Sequence, residues 1–208
     1  MIALGTQLRL GSVVGVFADV HGAHGTLGRA LALCRDAGVE TIALLGDLFD
    51  RAEQADACAL ALAPWPVVGV YGNHEREVAQ LAADQPVGLR DETVRLLASL
   101  QERVVVEEVC LVHEADGWHR WARHDPVARL VGPDRMAREP GPATRITFAG
   151  HTHYRQARDE RGPLDLGRGV LRLDPARRYL INPGALAAGQ FAIWDRQAGV
   201  VRFRQVAS

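Results

Sequence analysis

Five short apolar runs in this 208-residue chain each end on residues that can bind a metal ion. Residues 13–18 lead into Asp19 and His21, 41–46 into Asp47 and Asp50, and 67–72 into Asn73 and His74. Residues 109–112 lead into His113, and 146–150 into His151 and His153. Short runs rich in Val, Ile and Leu read as buried strands, and in α/β sheets the reactive groups collect just beyond the strands' carboxyl ends. The pattern therefore predicts one shared cluster of oxygen and nitrogen donors.

Between these runs the chain shows helical spacing. Thr26 is placed to cap a helix over residues 26–36, with Leu27, Ala30, Leu31 and Leu33 on one side and Gly38 ending it. Further helices are expected over residues 53–63, 75–83 and 91–100, so the first half reads as β-α units building a parallel sheet. The second half changes character, with close-set strands near 104–106 and 109–112 and then short strands separated by Gly and Pro turns. Residues 191–194 and 200–204, joined through Gln197-Ala198-Gly199, predict a terminal hairpin. Two packed sheets flanked by helices suit this order, in a single domain without repeat or linker. Residues 114–144 hold Trp118, His119, Trp121, His124 and several prolines, too long a stretch for a plain connection, and read as a lid or substrate-facing insertion.

Composition narrows the chemistry. The chain carries 24 basic and 25 acidic residues, a formal charge of -1, so net charge points to neither a nucleic-acid backbone nor a membrane surface. Every basic residue is Arg, which excludes lysine Schiff-base chemistry and leaves Arg as the anion-binding side chain. Cys34, Cys58 and Cys110 are odd in number and set in apolar sequence, as reduced core residues would be. The longest uncharged stretch, residues 57–73, is broken by Pro64 and Pro66 and so is not a membrane span. With no export signal visible, a cytoplasmic setting is expected.

Asp19 and His21 are two apart, as are His151 and His153, and in extended chain that spacing sends both side chains of a pair the same way. Gly46, Gly72 and Gly150 stand just before donor residues, where a missing side chain allows close backbone approach. Mixed carboxylate, imidazole and amide donors suit divalent manganese, iron, zinc or nickel, with manganese the expected ion. Two such ions held by Asp19, Asp47 and neutral donors keep a net charge of about +1 once a bridging hydroxide is counted, which attracts phosphate. Hydrolysis of a phosphoester by in-line attack of that hydroxide follows.

These motifs resemble those of the calcineurin-like metallophosphoesterases: Asp19-Val-His21, Gly46-Asp47-Leu-Phe-Asp50-Arg51, Gly72-Asn73-His74-Glu75, a strand-ending His113, and Gly150-His151-Thr-His153, in family order. Asn182-Pro183-Gly184 resembles a later family turn. The resemblance implies a four-layer αββα sandwich of two mixed sheets. It implies that Asp19, His21, Asp47 and His153 hold one metal and Asp47, Asn73, His113 and His151 the other, with Asp47 bridging. It further implies His74 as the acid protonating the leaving oxygen, Asp50 holding its ring, and Arg51 gripping phosphate oxygens.

Where the protein-phosphatase branch carries Gly after the Arg and after the strand-ending His, this chain has Ala52 and Glu114. Many small bacterial phosphodiesterase-like members carry Cys where this chain has His74, so the His favours an enzyme able to expel a poor leaving group. A phosphomonoesterase, also acting on diesters, is the expected function, with a phosphorylated small molecule, nucleotide or phosphopeptide as substrate. A protein Ser/Thr phosphatase or a dinucleoside polyphosphate hydrolase is the narrower alternative. A non-catalytic scaffold on the same fold would lack donors or His74, and this chain lacks neither.

Overall fold

The computed structural model describes residues 8–76, 88–115 and 144–207. The first sheet is built from β1 (Val13–Phe17), β2 (Thr41–Leu45) and β3 (Val67–Val70), with β9 (Val170–Arg172), β11 (Gln190–Asp195) and β12 (Val200–Gln205), in the order β3-β2-β1-β11-β12-β9. β1, β2 and β3 run parallel, as their helical crossovers require, and β11 and β12 form the expected antiparallel hairpin. The second sheet joins β4 (Arg103–Val106), β5 (Val109–Val112), β6 (Ile146–Ala149), β7 (Gln156–Asp159), β8 (Gly162–Pro163) and β10 (Tyr179–Asn182) in the order β4-β5-β6-β10-β7-β8. There β5, β6 and β10 are parallel and the outer pairings antiparallel, so both sheets are mixed.

The two-residue period of each strand sorts its side chains between two cores. Ala43 and Leu45 of β2 and Ala192 and Trp194 of β11 face the second sheet, where Leu111, Phe148 and Ile181 meet them. Ile42, Leu44, Phe191 and Ile193 face the other way, against the helices α1 (His24–Asp36) and α2 (Ala52–Leu62). Helix α3 (Asp91–Ser99) follows, and Leu96 and Leu97 complete the same layer. The helix expected over 75–83 is described only at its start, to Arg76, and the part of the expected insertion that carries Trp118, His119, Trp121 and His124 lies outside the described residues.

Two local expectations are corrected. Helix α1 begins at His24 with Ala23 at its cap and no side-chain cap bond, so Thr26 lies inside the first turn. Its buried stripe is Leu27, Ala30, Leu31 and Cys34, whereas Leu33 points to solvent. The 27, 31, 34 spacing follows one helix face and Leu33 falls off it. Among the described residues no helix is long and apolar enough to cross a membrane.

Candidate metal centre

The five donor-bearing strand ends open at one edge of the sandwich, and backbone hydrogen bonds lace their loops together. Asp19 N–H donates to the Gly46 carbonyl (3.1 Å), His21 N–H to the Asp47 carbonyl (3.0 Å) and Gly150 N–H to the His113 carbonyl (3.0 Å). These loops are not extended chain. Asp19 (φ 53°), His21 (47°), Asp47 (52°), His151 (69°) and His153 (61°) all lie in the left-handed region, with Glu107 the sixth such non-glycine residue among those described. The expectation that extended geometry aligns each pair is therefore corrected: all four members of the two pairs, and Asp47 with them, take a left-handed kink instead. Conformations of this kind cost about 1–3 kcal/mol each and persist where the surroundings enforce them.

Around His113 Nε2 three other donor atoms gather. Asn73 Oδ1 is 3.1 Å away, Asp47 Oδ2 3.2 Å and His151 Nδ1 3.2 Å. The second group centres on His153 Nε2, with His21 Nε2 at 3.0 Å and Asp19 Oδ1 at 3.7 Å. Donors 2.0–2.1 Å from one ion and roughly at right angles to each other are about 3.0 Å apart, so these separations are those of ligands around a common ion. Tautomers agree: His113 Nδ1 lies 2.7 Å from the Leu45 carbonyl, to which it donates, leaving Nε2 as the donor atom aimed inward. His21, Asp47 and His74 form a further close set between the two groups.

Charge at the site points the same way. Asp19 is fully buried; its Oδ1 accepts the His151 N–H (3.0 Å), while Oδ2 has no hydrogen-bond partner among the described residues. A buried carboxylate oxygen without a donor calls for a cation. Burial pushes the Asp19 carboxyl up to about 7, against the opposing pull of His113 and the His151 N–H. For Asp47 burial works upward too, but the hydrogen bond and charge of His113 outweigh it and hold the carboxyl below the usual range. His113 is correspondingly raised, since Asp47 outweighs the burial that would lower it. His153 is lowered, chiefly by burial and then by the neighbouring His21. The donor set and the unpartnered Asp19 oxygen thus fit divalent metal ions.

Residues 13–201 match the Calcineurin-like phosphoesterase superfamily domain. The chain belongs to that superfamily. It is 25% identical over 188 residues to the uncharacterized protein MJ0912 of Methanocaldococcus jannaschii, a match covering 84% of this chain and 76% of the relative. In fold it is similar to a metallophosphoesterase from Sphaerobacter thermophilus (TM-score 0.66, 24% identity, 94% of this chain and 88% of the other). It is also similar to an archaeal phosphodiesterase (TM-score 0.57, 16% identity, 93% and 99% covered).

In this chain all seven residues expected to hold metal come together. His74 stands at the rim, one-third exposed, with Nε2 4.0 Å from Asp47 Oδ2 and Nδ1 3.4 Å from Asp50 Oδ1. Arg51 is exposed at the start of α2, where its N–H and that of Asp50 donate to Gln54 Oε1. His24 opens α1 beside the Gly22 carbonyl. The glycines matter as expected at two points: a Cβ on Gly72 would fall 2.1 Å from Asp47 Oδ1, and one on Gly46 2.6 Å from His113 Nδ1.

Glu75, the last residue of the Gly72-Asn73-His74-Glu75 motif, has a role in the fold that the sequence does not announce. Its buried carboxylate accepts N–H bonds from Asp47 (2.9 Å), Leu48 (2.6 Å) and Gly72 (2.7 Å), and a longer one from Phe49 (3.4 Å). It thereby ties the loop after β2 to the loop after β3. Burial pushes its pKa up, while these N–H bonds favour the ionised form. An acidic residue two positions past Asn73 was the signal available, and nothing local distinguishes it from a solvated helix residue.

Proposed function

We propose that this phosphoesterase hydrolyses phosphomonoesters, and diesters as a second substrate class, at a centre of two divalent ions, with manganese the first choice. Asp19, His21, Asp47 and His153 would hold one ion and Asp47, Asn73, His113 and His151 the other. The observation that carries this reading is the convergence of Asn73, Asp47 and His151 on His113 Nε2, beside a second set on His153 Nε2. Ions held there would lower the pKa of bound water and neutralise phosphate oxygens.

The chain's own residues supply the rest. Asp47 belongs both to the group with His113 and His151 and to the group with His21 and His74, the position a bridging carboxylate requires. Asp50 Oδ1 lies 3.4 Å from His74 Nδ1 and would hold the ring, with Nε2 turned toward the cluster, where His74 would protonate the leaving oxygen. Arg51, next to Asp50 and exposed, would bind phosphate oxygens in bidentate fashion.

Counting metal in purified wild type and in Asp47→Asn, alongside hydrolysis of p-nitrophenyl phosphate and bis-p-nitrophenyl phosphate after chelation and Mn reloading, tests this proposal. Two ions per wild-type chain, fewer in the variant, and Mn-dependent release of nitrophenol are expected. Two ions retained in Asp47→Asn would contradict the bridging role.

A further inference from the structure

The parallel strands β5 and β6 of the second sheet deliver His113, His151 and His153 to the centre. Their parallel neighbour β10 ends at the same edge on Asn182, which is fully buried. Its amide is wholly used. Nδ2 donates to the Gly150 carbonyl (2.8 Å) and to Thr152 Oγ1 (3.1 Å), and Oδ1 accepts the Gly184 N–H (2.8 Å). Gly150 precedes His151, and Thr152 stands between the two histidines, so one amide holds both flanks of His151 in the loop where His151 and His153 carry positive φ.

The segment that Asn182 opens then crosses to the other sheet. Leu186 N–H donates to the Ala18 carbonyl (2.8 Å) and Ala187 N–H to the Asp19 carbonyl (3.1 Å). Residues 182–187 thus grip the Asp19 loop of the first sheet and the His151–His153 loop of the second. Asp19 and His153 come from different sheets yet face each other at 3.7 Å, so a connection between the two loops sets their spacing.

We infer that Asn182 is a positioning residue for the metal centre: it locks the His151–His153 loop and, through the turn it opens, registers that loop against Asp19. This rests on the reading of the site as a metal centre. Outer partners of metal ligands tune affinity by 10–100-fold, and an amide with every donor and acceptor engaged is suited to that work rather than to ligation.

The test is the Mn affinity of the full-length protein, stripped with chelator and titrated while free Mn is followed by electron paramagnetic resonance. The Asn182→Ala variant is expected to bind Mn about 10-fold or more weakly than wild type. Asp159→Asn, which alters the buried acceptor of Arg177 on the adjacent strand β7, serves as the control for general destabilisation. It should lower Tm while leaving Mn affinity unchanged. Unchanged Mn affinity in Asn182→Ala, or equal losses in both variants, would overturn the assignment. Should Asn182→Ala not fold, Thr152→Val removes one acceptor of the same amide and is expected to weaken Mn binding several-fold; wild-type affinity there would overturn it. Absence of Mn binding by wild type would instead refute the metal centre itself.

Discussion

Asp50 Oδ1 lies 2.5 Å from His21 Nδ1, nearer than its 3.4 Å approach to His74 Nδ1. The carboxylate expected to steady the rim histidine therefore also grips a histidine of the donor cluster. By accepting from Nδ1 it turns Nε2 of His21 inward, toward His153. The arrangement is that of a carboxylate behind a metal-binding imidazole, which fixes the tautomer and orientation of the ring.

Asp50→Ala should consequently cost two things, Mn affinity by roughly 10-fold and turnover measured at saturating Mn. Isothermal titration with Mn and assays over a range of Mn concentration separate them. Wild-type Mn affinity with reduced turnover would restrict Asp50 to His74.

Glu75→Gln keeps the shape of the side chain but turns an NH2 group toward backbone N–H donors. Leaving buried donors unpaired costs about 1–3 kcal/mol, and here those donors belong to the Asp47 and Gly72 loops. A lower denaturant midpoint, together with fewer bound Mn ions, is expected. Wild-type values for both would show that these loops hold their form without Glu75.

Metal and protons should compete at this centre. Asp19 is raised to about 7 in the folded, metal-free protein, above its unfolded value, so the stability it contributes is complete below about 4 and lost as pH rises through 7. His113, raised by Asp47, adds a loss of the same sign at higher pH. A divalent ion binds the deprotonated forms and reverses that loss. The rise in Tm on adding Mn is therefore predicted to be larger at pH 8 than at pH 6. An equal or smaller rise at pH 8 would contradict the proton competition.

Much of this architecture was legible as local pattern. The five donor-bearing strands, the parallel β1-β2-β3 part of the first sheet and the gathering of the donors at the strand ends all follow from apolar runs and what stands at their ends. The kinks were hidden, because two-residue spacing reads as extended chain, whereas Asp19, His21, His151 and His153 each adopt positive φ under constraints from neighbouring loops. Asn182 and Glu75 were hidden for a related reason. Their partners lie about thirty residues away in sequence, at Gly150 for one and at Asp47 and Leu48 for the other, so only the folded topology discloses them. Leu33 shows the limit on a smaller scale, since an apolar residue one position off the buried stripe of α1 points to water.

The most direct measurement is turnover of p-nitrophenyl phosphate by the Mn-loaded wild type and His74→Ala, with metal counted in the same samples. Equal metal content and a fall in turnover of roughly 10² or more in the variant are expected, the scale of lost general acid catalysis. Undiminished turnover in His74→Ala, or a loss of bound Mn that matches the loss of activity, would contradict the general-acid role of His74.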